Sequence, residues 1–187
     1  MKCNRGSTNR TVIHNNQCHE LYKLLKMARL TVRKEEHSGN SLRRPGDVAV
    51  DGLDGQGRTT LFDVTVFNPD QPKYVQTGLT NVFKAHLDKQ RGKERRYQMP
   101  LGRPNEQNKI FIPFVISQWF VPSRLAQDYI ERIAVLVSQR TNEKAEVVQQ
   151  RFYQRAAVTL ARDVARHLLA RIPLDPSNTA NLLRRGP

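Results

Sequence analysis

Two aspartates stand inside segments whose other residues favour β-structure. Asp47 opens Asp47–Asp51 (DVAVD), and Asp63 lies midway along Thr59–Val66 (TTLFDVTV). Asp is depleted in strands, and a carboxylate there loses hydration unless it is paired, hydrogen-bonded or metal-bound. Side-chain alternation puts Leu61, Asp63 and Thr65 on one face and Phe62, Val64 and Val66 on the other. The glycine-bearing stretch Gly52–Gly57 between the two segments reads as a hairpin turn. The strands are therefore expected to pair, and the two acids to approach each other at the sheet edge. Convergent carboxylates hold hard cations such as Mg²⁺, and a cation of that kind beside a phosphodiester activates water and neutralises a leaving oxygen. Glu35 or Glu36, at the end of a short upstream strand over Leu30–Lys34, would complete the shell. The basic segment Gly78–Tyr97 reads as a helix carrying Lys84, Lys89 and Lys93. Lys89 and Lys93 are four apart and share a face. A lysine near an attacked phosphate adds charge and orients water. A purely structural use of the same residues stays open: Asp47 capping a turn, Asp63 paired with a helix arginine, the lysines a solvated face.

These residues need a scaffold, and the pattern supplies one. Leu21, Leu24, Leu25 and Ala28 recur at helical spacing within His14–Arg29, after a polar stretch, Met1–Arg10, expected to be a loose end. Asn68–Pro72 ends the second acidic strand. Met99–Asn108 is expected to be a loop. Ile110–Ser117 (IFIPFVIS) is apolar throughout and reads as an inner strand covered on both faces, with Pro113 marking an edge, bulge or strand end. Ser123 is the expected N-cap of a helix to Arg140. Lys144–Arg171 carries Val148, Phe152, Ala156, Leu160, Val164 and Leu168 one turn apart, and Pro173 and Pro176 stop it. The expected fold class is α/β, helices around a small mixed sheet.

The 187 residues suit about one domain. Lys and Arg number 31 against 17 Asp and Glu, a formal charge of +14. Such an excess calls for a polyanion, most commonly nucleic acid, from whose phosphates Lys and Arg release counterions. Two cysteines, Cys3 and Cys18, exclude a disulfide-rich secreted scaffold. No apolar run reaches the roughly 20 residues of a membrane span, and polar residues interrupt any signal-peptide core among the first thirty. The expected setting is intracellular: the nucleus in a eukaryote, otherwise the cytoplasm. No phosphate-binding glycine loop or nucleophile elbow is present. Trp119 and Phe120 either stack on bases or anchor the following helix. His37, His86 and His167 are expected at the surface.

Taken in order, the motifs resemble the PD-(D/E)XK, restriction-endonuclease-like superfamily. The likeness is to the C-terminal endonuclease domain of non-LTR retrotransposon and related reverse-transcriptase polyproteins. It rests on Arg44-Pro45-Gly46-Asp47-Val48, Phe62-Asp63-Val64-Thr65-Val66 with Phe67-Asn68-Pro69 following, and His14-Asn15 before an apolar helix. Glu35, Lys93-Glu94-Arg95-Arg96-Tyr97 and Phe111-Ile112-Pro113-Phe114-Val115 complete it. The resemblance spans roughly residues 12 to 170. It implies a Mg²⁺-dependent endonuclease (Mn²⁺ as a substitute) acting on DNA or, as the variant partner, RNA. Asp47 and Asp63 would bind the metal with Glu35 assisting. Thr65 stands where the family's lysine is expected, and Lys93 matches a relocated lysine supplied by the neighbouring helix. Arg43, Arg44, Lys84, Lys89, Arg91, Arg95 and Arg96 would track the DNA backbone. A homodimer and a reverse-transcriptase module are the implied protein partners. The expected organisation is a flexible segment 1–11, a nuclease-like core 12–121, helices packed on it over 122–172, and a basic tail 173–187. The family often carries an upstream zinc knuckle. Here only Cys3, His14, Cys18 and His19 remain, without a C-x-x-C start. No zinc site is expected from them, and the chain reads as a fragment or degenerate copy of a longer polyprotein. The alternative function is a nuclease fold that kept its basic surface but no catalysis. A third reading is a structural component of an RNA–protein particle.

Overall fold

A computed structural model describes residues 5–36, 46–72, 74–75, 83–101 and 108–170, with the side chains of 5–9, 35–36 and 96–101 outside the description. In chain order the elements are α1 (Arg5–Met27), β1 (Thr31–Glu36), β2 (Gly46–Asp51), β3 (Thr59–Phe67), α2 (Lys84–Leu101), β4 (Lys109–Ser117), α3 (Arg124–Thr141) and α4 (Ala145–Leu169). The sheet is mixed, in the order β1-β2-β3-β4. β1, β2 and β3 form an antiparallel meander, and β4 runs parallel to β3. A parallel partner needs a crossover connection, which α2 provides. Gly52, Gly55 and Gly57 all adopt positive φ (75°, 74° and 72°) in the β2–β3 turn, a conformation that side chains with a Cβ resist.

Strand alternation divides the molecule into layers. Val48, Val50, Phe62, Val64, Phe114 and Ile116 point into the main core with Leu21, Leu24 and Leu25 of α1, Ile130 and Ile133 of α3, and Phe152, Ala156 and Leu160 of α4. Phe62 sits at its centre, edge-to-face with Phe114 and Tyr129 at 6.0 and 5.3 Å. On the opposite face Phe67 and Val115 pack with Tyr74 and with Ala85 of α2. The α/β class is thus as expected, with three helices on one face of the sheet and α2 on the other.

Three local expectations are corrected. The first helix starts at Arg5 rather than His14, so most of the supposed flexible segment is helical. Asn, Ser and Thr are indifferent helix formers, but Ile13 joins the core and the following turn is bonded to α4. Tertiary contact thus anchors the helix. Secondly, α2 continues through Met99 and Pro100 to Leu101, where a loop was expected. Thirdly, among the described residues β4 is an edge strand, not an inner one. Its run is apolar because helices cover both of its faces, and Pro113 is tolerated there because edge positions spare a ladder bond. The free edge is closed by the chain itself: Ile116 bridges Pro122, Ser117 N donates to Val121 O, and Ser123 N donates to Val115 O. Ser123 then caps α3, its hydroxyl accepting from Ala126 N at 3.3 Å, as expected.

Candidate active site and metal cluster

Asp47 and Asp63 both lie where the β2–β3 ladder ends. Val48 and Phe62 are the last paired residues. The next turn of the ladder would place Asp47 opposite Asp63. Instead the Asp47 carboxylate takes over the acceptor role: its Oδ2 receives the N–H of Val64 at 2.7 Å. This fixes Asp47 beside the residue that follows Asp63. On the other side, Lys34 pairs with Val48 and Glu36 with Gly46, so the backbone of Glu35 lies opposite Asp47. The side chains of Glu35 and Glu36 lie outside the described residues.

Asp63 is buried, at 6 % exposure, and a carboxylate so placed requires a cation or donors. Lys93 of α2 supplies one, its Nζ 2.6 Å from Asp63 Oδ2. The expected approach of the helix lysine to the strand aspartate is therefore present, and Lys93 makes it rather than Lys89. Lys89 lies one turn away over the Tyr74 ring, 5.8 Å from its centroid. Thr65 is half-buried on β3.

Sequence reasoning did not place His14 and Cys18 in this site. Both belong to α1, one turn apart, on the flank that looks toward the open end of the sheet. His14 Nε2 is 3.2 Å from Asp47 Oδ1 and 3.6 Å from Cys18 Sγ. One ligand atom each from His14, Cys18 and Asp47 lies within 4.8 Å of the others. The pairing of α1 with α4 sets this placement. Gln17 Nε2 donates to Ala156 O at 3.2 Å, Asn16 Nδ2 to Asp163 Oδ2 at 2.6 Å, and Arg155 Nη2 pairs with Glu20 Oε2 at 3.1 Å. The only sequence signal for the contact was the i,i+4 spacing of a histidine and a cysteine.

The electrostatics tie the two sets of residues together. Burial holds the His14 imidazole below its ordinary pKa, with Asp63 acting upward and Lys93 downward. Burial pushes the Cys18 thiol up, and the nearby charges of Asp47 and Asp63 add to the rise. Asp63 thus acts on both α1 residues while its own oxygen meets Lys93.

Chemically, Asp47 and Asp63 offer the oxygens a hard cation takes. His14 and Cys18 add nitrogen and sulfur, donors of borderline and soft metals. A cleft of about 320 Å³ is lined among others by Arg10, His14, Asn68, Gln71, Lys89 and His167; His14 reaches it, while Cys18, Asp47, Asp63 and Lys93 are not part of its lining. Of the other expected backbone-tracking residues, Lys84, Arg91 and Arg95 are exposed on α2, while Arg43, Arg44 and the side chain of Arg96 lie outside the described residues. Two aromatic expectations resolve separately: Phe120 packs against Phe152 and Tyr153, whereas Trp119 is 63 % exposed. His86, expected at the surface, is buried, donating from Nε2 to Val121 O at 2.7 Å and standing edge-on to Phe67. α2 packs on the sheet at that turn, which removes the ring from solvent. His167 lines the cleft, and His37 lies outside the described residues. No helix is long and apolar enough to cross a membrane among the described residues. Compared with known proteins, the chain matches no family model and no curated sequence.

Proposed function

We propose that the chain is a metal-dependent endonuclease with a restriction-endonuclease-like core, hydrolysing DNA phosphodiesters. The observation that carries this reading is the 2.6 Å contact of Lys93 with Asp63, one residue from the Val64 N–H that holds Asp47. Two acids of neighbouring strands and one amine of the next helix are gathered at one end of the sheet, in a chain of net charge +14. Burial of Asp63 beside a partly exposed Asp47 suits a cation held between protein and substrate. Asp47 and Asp63 would hold Mg²⁺, with Glu35 completing the shell. When bound, that ion supplies positive charge to the phosphodiester and acidity to a water. Lys93, which reaches Asp63, would orient the attacking water and offset charge building on the phosphate. Lys89 and Arg10 flank the cleft and hold the backbone beside the break, while Lys84, Arg91 and Arg95 extend the phosphate-facing surface along α2. Phosphate contacts of this kind position the duplex without choosing its sequence.

The same ion pair favours a second reading, a decayed nuclease in which Lys93 permanently neutralises Asp63 and the basic surface only binds. Plasmid nicking in Mg²⁺ separates the two. The native chain should nick, and Asp63→Asn should abolish nicking while the mobility shift of DNA persists. A native chain that shifts DNA yet never nicks it in Mg²⁺ or Mn²⁺ leaves the binding module standing. Preference for RNA duplexes or hairpins over DNA would point to an RNA–protein particle instead.

A further inference from the structure

We propose that His14, Cys18 and Asp47 form a three-ligand site for a borderline divalent cation, Zn²⁺, with the fourth position open to the cleft. The argument stands on the geometry of the trio and goes beyond cleavage. Zn²⁺ bonds of ~2.0 Å from nitrogen or oxygen and ~2.3 Å from sulfur, opened to a tetrahedral angle, place N and O roughly 3.3 Å apart and N and S roughly 3.5 Å apart. His14 Nε2 stands 3.2 Å from Asp47 Oδ1 and 3.6 Å from Cys18 Sγ. The His14–Asp47 separation is that of two ligands on one ion. Cys18 Sγ, 3.6 Å from Nε2 and 3.7 Å from Nδ1, lies against the ring. A rotation of the imidazole turns Nε2 toward an ion shared by all three residues, whose ligand atoms lie within 4.8 Å of one another.

Two further features fit a metal site. Outer-shell hydrogen bonds orient ligands, and the second oxygen of Asp47 already accepts from Val64 N at 2.7 Å. An entry path is the other requirement, and His14 lines the open cleft. The donor set also discriminates. Imidazole and thiolate suit Zn²⁺ and Co²⁺ and are poor ligands for Mg²⁺. Three protein ligands with one open position are the arrangement of reactive rather than purely structural zinc. On binding, the Cys18 thiol gives its proton to solvent as the sulfur–metal bond forms, and His14 coordinates through Nε2 with its remaining proton on Nδ1. The third ligand comes from β2, 29 residues after Cys18 in the chain, which is why no spacing rule for zinc detects the site.

The test is a Co²⁺ titration of the full chain, reduced and metal-free, without DNA. One equivalent should produce a near-ultraviolet thiolate-to-cobalt charge-transfer band with visible bands of tetrahedral intensity, both erased by Zn²⁺ and unaffected by excess Mg²⁺. Cys3→Ser should keep the spectrum. Cys18→Ser should lose the charge-transfer band, and His14→Gln and Asp47→Asn should each weaken Co²⁺ binding at least tenfold. Circular dichroism checks folding of each variant. Should Cys18→Ser not fold, the other two substitutions decide the matter. A native chain without the band, a band surviving Cys18→Ser or lost in Cys3→Ser, or unchanged affinity in the other variants overturns the proposal and leaves His14 as a hydrogen-bond donor to Asp47. Because no nucleic acid is present and Mg²⁺ enters only as a competitor for the cobalt, failure here says nothing against cleavage, and failure of the nicking assay says nothing against this site.

Discussion

At the scale of single residues, Asp47 carries two demands. One oxygen ends the β2–β3 ladder by accepting from Val64, and the other faces His14. A hard cation shared with Asp63 and a Zn²⁺ shared with His14 and Cys18 would compete for that second oxygen. Trace Zn²⁺ should therefore depress Mg²⁺-supported nicking by the native chain. Cys18→Ser, which keeps both acids, should resist that inhibition; equal inhibition of both proteins in a side-by-side nicking titration would place the inhibitory ion elsewhere. Lys93 differs from its neighbours on α2 in the same concrete way. It touches Asp63, whereas Lys84 is exposed on the first turn of the helix. Lys93→Ala should lower the nicking rate by ten-fold or more, within the span by which positioned charge changes catalysis, while Lys84→Ala should change it no more than it changes DNA affinity. Equal losses would reduce both lysines to a diffuse phosphate surface.

At the scale of elements, the placement of α1 decides the site. Asp163 of α4 is buried at 4 % exposure and takes the amide of Asn16. Removing that donor takes a hydrogen bond from a buried carboxylate, whose other oxygen stands 4.0 Å from Arg166 Nη1. Asn16→Ala should cost about 1–3 kcal/mol in chemical denaturation and should loosen the end of α1 that bears His14, measured as faster amide exchange there than in α3. The β1–β2 hairpin makes a separate prediction. Its Arg33–Asp51 pair holds the Asp51 carboxyl below its ordinary value of 3.8, the arginine bond being the chief cause, with Thr59 adding to it. A carboxyl depressed in the folded state contributes stability above pH 3.8 that is lost as pH falls through its folded value. Because the pair is largely exposed, Asp51→Asn should remove only about 0.2–1 kcal/mol at neutral pH. Melting curves of variant and native chain should converge below pH 3.8; a gap persisting in acid would mean that packing, not charge, was lost.

For the whole molecule, charge and layering act together. The excess of 14 positive charges is spread along the whole chain rather than gathered in one run, and the cleft that His14 lines carries Arg10 and Lys89. Binding through 6–10 phosphates would make DNA affinity fall about 10³–10⁵-fold between 50 and 200 mM salt. A flat salt dependence in a mobility-shift series would remove the polyanion from the argument altogether. The three-layer arrangement buries Phe62 at the centre of the larger core. Phe62→Ala should cost about 3–5 kcal/mol and abolish DNA binding only through unfolding, so that shift and thermal melt fail together.

Much of this was legible in the chain. The strand phases, the glycine turn, the Ser123 cap and the helix of α4 follow from local sterics, propensity and periodicity, which need no distant partner. Those same rules predicted that Asp47 and Asp63 sit on paired strands and that a basic helix follows them; that its Lys93 would stand beside Asp63 was implied by the family resemblance alone. Other features depended on which surfaces meet. The apolar run of β4 reads the same whether neighbours lie beside it or only above and below, and here helices supply the covering. His86 looked like a surface histidine, but the packing of its own helix, α2, turns the ring onto Phe67 and the Val121 carbonyl. His14 and Cys18 reach Asp47 because Asn16 and Gln17 lock α1 to α4, a contact between residues some 140 positions apart. Periodicity records which face of a helix is apolar, but only the packing of that face against its partner decides what the polar flank will confront.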